Sequence, residues 1–333
     1  MGVAPLNAVP AVHARWLVVG GAGFIGGHLV HRLLSDDSVE KVTVYDNFSS
    51  GREIHLERRM DDPRLSVVRG DVKDLGALSD ATRGHDAVVH LASNPDIARA
   101  ATEPAIDFDE GTLLTHHVLE AMRIAGVERI LYASGSGVYG DLGEVEPNED
   151  WGPLVPVSTY GASKLAGEAL ISAYSFMFGL SGRVFRFGNV VGPMQTHGVG
   201  LDFVRALLAD PTRLRILGDG TQSKSYVHVQ DVIEAMLCAN RKSGTYDVYN
   251  VATGDYITVA EIAELAAEQV GLDPASVRHE YAGGNRGWKG DVPVVRLSIE
   301  RIGRLGWSPT RSSREALADS MTALVEDVRA GRL

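Results

Sequence analysis

The chain has 333 residues, of which 44% are hydrophobic and 23% charged, and its formal net charge is −11. The length predicts about two domains, and the composition is typical of a globular protein. The negative charge argues against nucleic-acid partners, and the absence of an apolar run of about 18 residues argues against a membrane partner.

The first 16 residues, MGVAPLNAVPAVHARW, are expected to form a loose leader, because they lack the basic start and the long apolar stretch of a signal peptide. The single cysteine, Cys238, lies in the helical pattern DVIEAMLCAN. A lone cysteine forms no internal disulfide and is typical of a small core residue rather than a catalytic thiol. These features predict a cytoplasmic protein.

Six short apolar runs alternate with glycines, polar turns and helix-like segments in the first part of the chain. The runs are RWLVVGG, KVTVYD, LSVVRGD, AVVHLAS, RILYAS and RVFRFGN, and the helix-like segments include GHLVHRLLSD and GTLLTHHVLEAMRIAG. This alternation predicts an α/β fold, a doubly wound parallel sheet with helices on both faces.

The strand–helix rhythm changes after Asn189, where loop-like stretches are interspersed with the helical patterns DVIEAMLCANR and VAEIAELAAEQVG. We therefore expect two domains. Residues 1–187 form a nucleotide-binding domain, to which the chain returns at about 226–253, and residues 188–333 form a smaller mixed α/β substrate-binding domain. A cleft is expected between the two.

The first predicted strand ends in GGAGFIGG, where Gly20, Gly23 and Gly26 form a G-x-x-G-x-x-G pattern. Glycines in a strand–turn–helix unit let the backbone approach a pyrophosphate. Asp46 lies 20 residues beyond the last glycine, the spacing of a carboxylate that holds the adenosine ribose. The pattern predicts a Rossmann-type domain that binds NAD rather than NADP, a preference that the nearby Arg52 weakens slightly.

Tyr160 and Lys164 lie four residues apart in STYGASKLAGE. If a helix begins here, the two side chains share a face and can enter the same cleft. The reference pKa of tyrosine is about 10, but a neighbouring ammonium group and the positive nicotinamide ring favour the phenolate. The pair therefore predicts a general base and its lysine partner.

At this point the sequence resembles the extended short-chain dehydrogenase/reductase family, specifically its nucleotide-sugar epimerases and dehydratases. The resemblance covers nearly the whole chain and rests on GGAGFIGGHL, YDNFSSG, GDVKD, HLAS, YASGSGVYGD, STYGASKLAGE, FRFGNVVGP, GDGTQSKSYVHVQD and GWKGDV…LGWSP. It implies that NAD stays bound, that Tyr160 takes the proton from a sugar hydroxyl, and that hydride moves from the same carbon to the nicotinamide.

The resemblance also implies a set of cofactor contacts. The expected cofactor-binding residues are Gly20, Gly23, Phe24, Ile25, Gly26, Asp46, Asn47, Phe48, Ser49, Ser50, Gly51, Asp71, Val72, Leu91, Ala92, Ser93, Tyr160, Lys164 and Phe187. Asp71, at the end of the third predicted strand, either neighbours the adenine or caps the following helix.

The family's third catalytic hydroxyl, a Ser or Thr four residues before the tyrosine of YG, falls on Gly135 in YASGSGVYG. Strand alternation turns Ser134 away from the face of residue 135, whereas Ser136 lies in the loop. We predict that Ser136 supplies the hydroxyl. Ser134, a water molecule, or a turn with no chemical role are the alternatives.

The same loop bears on the outcome of the reaction. Dehydratases of the family carry Asp-Glu or Ser-Glu just before the Val-Tyr, and decarboxylating relatives also carry a glutamate there, whereas this chain has Ser136-Gly137. The 3,5-epimerases need a cysteine and a lysine, and Cys238 is expected to be buried. The resemblance thus favours an NAD-dependent 4-epimerase. A 4,6-dehydratase, a 4-keto reductase and a non-catalytic NAD-binding regulator are the alternatives.

For the substrate, the resemblance implies a nucleotide-diphosphate sugar, with a UDP-sugar favoured. The expected substrate-binding residues are Ser136, Tyr160, Asn189, Thr196, His197, Lys224, Arg286 and Asp291. Lys224 stands where relatives usually have arginine and lacks the bidentate fork; a solvated surface lysine is the alternative. Arg286 matches the family's phosphate arginine, although that residue normally lies where this chain has Trp288. His197 is expected either to contact the sugar or to stabilise the conformation of the loop in which it lies.

No metal site is expected, because no group of histidines shows a metal-ligand spacing. The family's dimers pair two helices from each chain, which implies a homodimer. Leu113, Leu114, Leu165 and Ala169 are compatible with that interface and equally with an intramolecular core.

Overall fold

The computed structural model of the chain describes residues 12–94, 96–288 and 290–333. The predicted leader therefore lies mostly outside the described residues. The strands are β1 (Arg15–Val19), β2 (Lys41–Asp46), β3 (Leu65–Arg69), β4 (Ala87–His90), β5 (Arg129–Gly135), β6 (Ser181–Phe187), β7 (Asn189–Val191), β8 (Arg213–Ile216), β9 (Ser223–Lys224), β10 (Tyr226–His228), β11 (Tyr246–Val251), β12 (Ile257–Thr258) and β13 (Arg278–Tyr281).

Helices connect and cover these strands. They are α1 (Phe24–Leu33), α2 (Leu75–Thr82), α3 (Leu113–Ala125), α4 (Thr159–Phe178), α5 (Val199–Ala209), α6 (Val229–Asn240), α7 (Val259–Val270), α8 (Glu300–Gly303) and α9 (Ser313–Arg329). A π-helical turn, Phe108–Thr112, leads into α3, and a 3₁₀ turn, Ser136–Tyr139, follows β5. In the described ranges, no helix is long and apolar enough to cross a membrane.

Seven of the strands form one parallel sheet in the order β11-β6-β5-β4-β1-β2-β3. Alternate residues of β1 enter opposite cores. Trp16 and Val18 pack with α1 and α6, whereas Leu17 and Val19 pack with α2, α3 and α4. The predicted doubly wound parallel sheet with helices on both faces is therefore confirmed.

The smaller unit packs α5, α7 and α9 around the parallel pair of β8 and β13. Leu214 and Ile216 of β8 are fully buried in its core. Between β8 and α7 the chain returns to the large sheet, where β11 pairs with β6. The division at residues 187 and 188 stays a prediction.

A polar network is buried beneath the carboxyl end of β5. Glu168 of α4 pairs with Arg186 of β6 at 2.7 Å, and Arg186 also donates to the Tyr139 hydroxyl at 2.9 Å. A buried ion pair is tolerated only when its remaining donors and acceptors are satisfied, and such networks specify geometry. This one fixes α4 against β5 and β6, directly below the residues described next.

Candidate active site

The sheet order reverses between β1 and β4, so that the connections after these strands diverge. Crevices at such reversals are the usual ligand sites of doubly wound folds. Here the carboxyl ends of the strands open into a cleft of about 690 Å³, whose opposite wall comes from the smaller unit.

The glycine-rich turn after β1 brings backbone to the floor of this cleft. Gly20 has a φ of +82°, and a Cβ there would lie 2.6 Å from the backbone nitrogen of Ala92. A Cβ on Gly26 would overlap the carbonyl oxygen of Gly20. Helix α1 starts at this turn, and its N-cap Gly23 contributes no side-chain hydrogen bond. The free N–H groups of the first turn therefore suit a pyrophosphate.

Asp46 is a buried carboxylate at the end of β2. Its two oxygens accept hydrogen bonds from the backbone nitrogens of Ala22 at 2.9 Å and Phe48 at 2.8 Å. A Cβ on Gly51 would lie only 2.9 Å from the same carboxylate. The carboxylate is thus held in a fixed orientation at the cleft wall, where its remaining lone pairs can accept ribose hydroxyls.

The structure brings most of the predicted cofactor residues to the cleft wall. Phe48 and Gly51 are exceptions, because they do not line the cleft. The Phe48 ring instead contacts Arg69, whose guanidinium lies 4.0 Å from the ring centre. Asp71 does line the cleft. Its alternative role as a helix cap is wrong, since Asp74 is the N-cap of α2 and accepts from the nitrogen of Ala77.

Tyr160 and Lys164 lie on the first turns of α4, as the spacing predicted. Ser158 caps this helix by accepting a hydrogen bond from the Gly161 nitrogen at 3.1 Å. The buried Lys164 ammonium donates to the carbonyl oxygen of Ala133 at 2.9 Å, and it lies 5.5 Å from the ring centre of Tyr160. The two side chains enter the cleft together.

Burial and nearby carboxylates shift the pKa values of this pair. Burial raises the pKa of Tyr160 to about 12, and the negative charge of Asp107 contributes to the rise. Burial lowers the pKa of Lys164 to about 8, and Asp107 opposes that fall. Asp107 is itself 2% exposed and accepts from Asn94 at 2.9 Å and Thr159 at 2.7 Å. Its position beside the pair was not predicted from the sequence.

The three candidate positions for the third hydroxyl differ in their surroundings. Ser134 donates its hydroxyl to Glu168 at 2.5 Å and is held in the buried network. Gly135 is extended, with φ −158° and ψ 166°, and a Cβ there would meet nothing closer than the Phe187 carbonyl oxygen at 4.0 Å. Ser136 lines the cleft, and its hydroxyl has no hydrogen-bond partner among the described residues.

The predicted substrate residues fall into two groups. Ser136, Tyr160, Asn189, Thr196, His197, Lys224 and Asp291 line the cleft. Lys224 is not a solvated surface lysine, because it is largely buried and pairs with Asp291 at 2.7 Å. The prediction for Arg286 is corrected: its guanidinium binds Asp141 and the backbone carbonyl of Asp291, and it does not reach the cleft wall.

His197 and Asp202 face the cleft from the loop before α5 and from its first turn. Burial lowers the pKa of His197, while the Asp202 charge partly opposes this. Burial raises the pKa of Asp202. Thr196 lies 3.2 Å from the His197 Nδ1. An imidazole whose burial favours its neutral form and a hydroxyl therefore face the cleft just before α5.

Sequence reasoning missed several polar residues of the cleft. They are Asn94, Glu110, Asp202, Arg215 and Gln222. Arg215 had one available signal, since RLRI alternates polar and apolar residues as a half-buried strand does. Among the described residues, no cluster of three or more His, Cys, Asp or Glu side chains has the arrangement of a metal site.

The sheet, the glycine-rich turn and the Tyr160–Lys164 pair together define an extended short-chain dehydrogenase/reductase. Residues 16–252 match the model of the NAD dependent epimerase/dehydratase family. The chain therefore belongs to this family, and the protein is an NAD-dependent enzyme of it. The glycine-rich turn after β1 and Asp46 suit the NAD cofactor of this family. The glycines leave space beside the backbone that side chains at the same positions would fill.

Three similar proteins illustrate the range of the family. The UDP-glucose 4-epimerase of Mycolicibacterium smegmatis is 33% identical over 324 residues, covering 95% of this chain and 98% of the relative. A crystal structure of UDP-galactose 4-epimerase has a TM-score of 0.83 and 35% identity, covering 94% and 99% of the two chains. The dTDP-glucose 4,6-dehydratase DesIV of Streptomyces venezuelae, a double mutant with NAD bound, has a TM-score of 0.86 and 31% identity, covering 95% and 98%.

Replacing Asp107 by Asn is expected to shift the pH dependence of kcat. The change removes a negative charge that raises the pKa of both Tyr160 and Lys164. A base works only after losing its proton, so a lower Tyr160 pKa moves the acid limb of the profile to lower pH, and the Lys164 limb moves the same way. Asp109→Asn, two residues along and exposed, is the control. Unchanged limbs in Asp107→Asn would contradict the assignment.

Proposed function

We propose that the protein is a nucleotide-sugar 4-epimerase that acts on UDP-sugars. It oxidises the sugar 4-hydroxyl transiently, lets the 4-keto intermediate rotate, and reduces it from the opposite face. The single observation that carries the proposal is the pair Ser136-Gly137 after β5, where the resemblance places the acid and base of the dehydratases. A carboxylate is missing at both positions.

Of the other carboxylates that line the described part of the cleft, all but Asp202 are poorly placed to replace that acid and base. Asp46 and Asp71 lie at the cofactor end, Glu110 pairs with Lys73, and Asp291 pairs with Lys224. Only Asp202 faces the sugar space without such a pair. A 4,6-dehydratase is the second candidate function, because DesIV is as similar in structure as the epimerase.

In the proposed mechanism, the Tyr160 phenolate accepts the proton of the 4-hydroxyl. The ammonium of Lys164, held by the Ala133 carbonyl, stabilises the phenolate. Ser136 donates a hydrogen bond to the sugar 4-oxygen and stabilises the charge that develops there. The glycine-rich turn after β1 and Asp46 would hold NAD, which would supply the acceptor and donor of the hydride of carbon 4. Tyr160 then gives the proton back, so the chain ends the cycle unchanged.

Proton NMR of the protein with UDP-, dTDP-, GDP- and CDP-sugars, without added cofactor and in deuterated water, tests the proposal. We expect inversion at carbon 4 of a UDP-sugar without entry of solvent deuterium. Tyr160→Phe should retain nucleotide binding and lose about 10²- to 10⁴-fold in kcat, since it removes the general base. Deuterium at carbon 5 or 6 would indicate the dehydratase, and no turnover of any sugar would contradict both.

Ser136→Ala is expected to lower kcat about 10- to 100-fold, the equivalent of one charge-assisted hydrogen bond of about 1.5–3 kcal/mol. Residue 135 has space for a side chain, so the double variant Gly135→Ser/Ser136→Ala should recover most of the loss. Ser134→Ala is the matched control and should affect stability more than kcat, because its hydroxyl is held by Glu168. A larger loss of kcat in Ser134→Ala than in Ser136→Ala would refute the role of Ser136.

We also propose that the enzyme is a homodimer through the outer face of α4. Ala169 and Phe176 are exposed on this helix, Phe176 to 73%. Leu114 does not contribute, because it is buried in the core of its own chain. Light scattering should give twice the 35.7 kDa chain mass, and Phe176→Glu should shift the protein toward monomer. A 35.7 kDa species for the unmodified protein would contradict the dimer.

A further inference from the structure

The loop between β7 and α5, residues 192–198, brings Thr196 and His197 to the cleft wall. Its backbone includes Met194 with a φ of +61°, in the left-handed region that residues with a side chain rarely adopt. Such a residue keeps this conformation only where its surroundings fix it. The contacts of Met194 therefore bear on how Thr196 and His197 are placed.

Two histidines from the first part of the chain hold this loop. The His28 Nε2, on α1, lies 2.9 Å from the carbonyl oxygen of Pro193. His55 ends a 3₁₀ turn, Glu53–His55, and its Nε2 lies 3.2 Å from the carbonyl oxygen of Met194. The strained residue is thus anchored through its carbonyl by a side chain 139 residues earlier in the chain.

His55 also contacts the glycine-rich turn after β1. Its Nδ1 lies 2.7 Å from the carbonyl oxygen of Ala22 in that turn, and the Ala22 nitrogen donates to Asp46 at 2.9 Å. A Cβ on Gly27 would lie 2.7 Å from the Cβ of His55, so the backbone of His55 lies directly against α1. One imidazole therefore joins the turn that suits the cofactor to loop 192–198.

The two contacts of His55 differ in how much they depend on the imidazole. The Ala22 carbonyl has a second donor, the backbone nitrogen of Arg52 at 2.9 Å. A carbonyl oxygen only accepts, so both contacts are hydrogen bonds only when both ring nitrogens carry protons. Each contact can therefore be examined with a side chain that supplies a donor at one of the two places.

We propose that His55 is a positioning residue that ties loop 192–198 to the cofactor turn. Through Met194 it sets how Thr196 and His197 face the cleft. Through Ala22 it supports the turn that suits the pyrophosphate of NAD. The inference goes beyond the proposed function and rests on it only for the UDP-sugar used in the kinetic test.

Two substitutions separate the contacts, because the amide nitrogen of Asn can take the place of Nδ1 and that of Gln the place of Nε2. His55→Asn should raise the KM of the UDP-sugar about 3- to 10-fold with kcat nearly unchanged, the effect of one lost hydrogen bond that supports uniform binding. His55→Gln should leave that KM unchanged and speed the exchange of bound NAD for labelled NAD about 3- to 10-fold.

Hydrogen exchange of the cofactor-loaded protein, read by mass spectrometry, locates the effects without using activity. Exchange should rise in residues 192–198 for His55→Asn and in residues 20–26 for His55→Gln. Unchanged exchange in the rest of the chain verifies that each variant is folded. His31→Gln is the control and should change none of these quantities, because this exposed histidine of α1 contacts Arg59 instead.

Two results would overturn the role of His55. If His55→Asn and His55→Gln change the same quantities to the same extent, the residue acts only on general stability. If His55→Asn leaves the exchange of residues 192–198 unchanged, the residue does not hold the loop. If the unmodified protein turns over no UDP-sugar, the proposed function fails, whereas the hydrogen-exchange and NAD-exchange results still decide for or against His55.

Discussion

The catalytic arrangement depends on burying the ammonium group of Lys164. A buried cation is costly unless it is hydrogen-bonded, and here the Ala133 carbonyl at the end of β5 accepts from it at 2.9 Å. This contact requires α4 to lie directly on the loop that follows β5. Gly161 permits the approach, because a Cβ there would lie 2.5 Å from the Gly137 carbonyl oxygen. Packing does not require the glycine at position 137, where a Cβ would lie 3.5 Å from the Gly161 Cα, an ordinary contact.

Burial also disfavours the deprotonated form of Tyr160, which a general base needs, when no cofactor is bound. Burial and Asp107 both raise the pKa of Tyr160, whereas Asp107 helps Lys164 to stay charged. Asp107 therefore favours the charged lysine, as Glu168 also does, but disfavours the phenolate of Tyr160. The positive nicotinamide ring of the bound cofactor favours the phenolate. Proton abstraction is accordingly expected from the cofactor-loaded enzyme, in which the ring and the ammonium act together.

Much of this was predictable from the sequence, because local patterns determine it. The apolar runs became the strands of the parallel sheet, and the glycine turn, Asp46 and the Tyr160–Lys164 spacing depend on residues close in the chain. The site residues that were predicted wrongly or not at all depend on partners that are distant in sequence. Arg286 is drawn out of the cleft by Asp141, 145 residues away, and Asp107 reaches Thr159 across 52 residues. Only the folded chain reveals such pairings.

The most direct test of the central claim follows a deuterium label placed on carbon 4 of the UDP-sugar. The product is expected to be inverted at carbon 4, with the label still on that carbon and none released to water, because the same hydride leaves and returns. A label that moves to a methyl group at carbon 6 would contradict the account and identify the enzyme as a dehydratase.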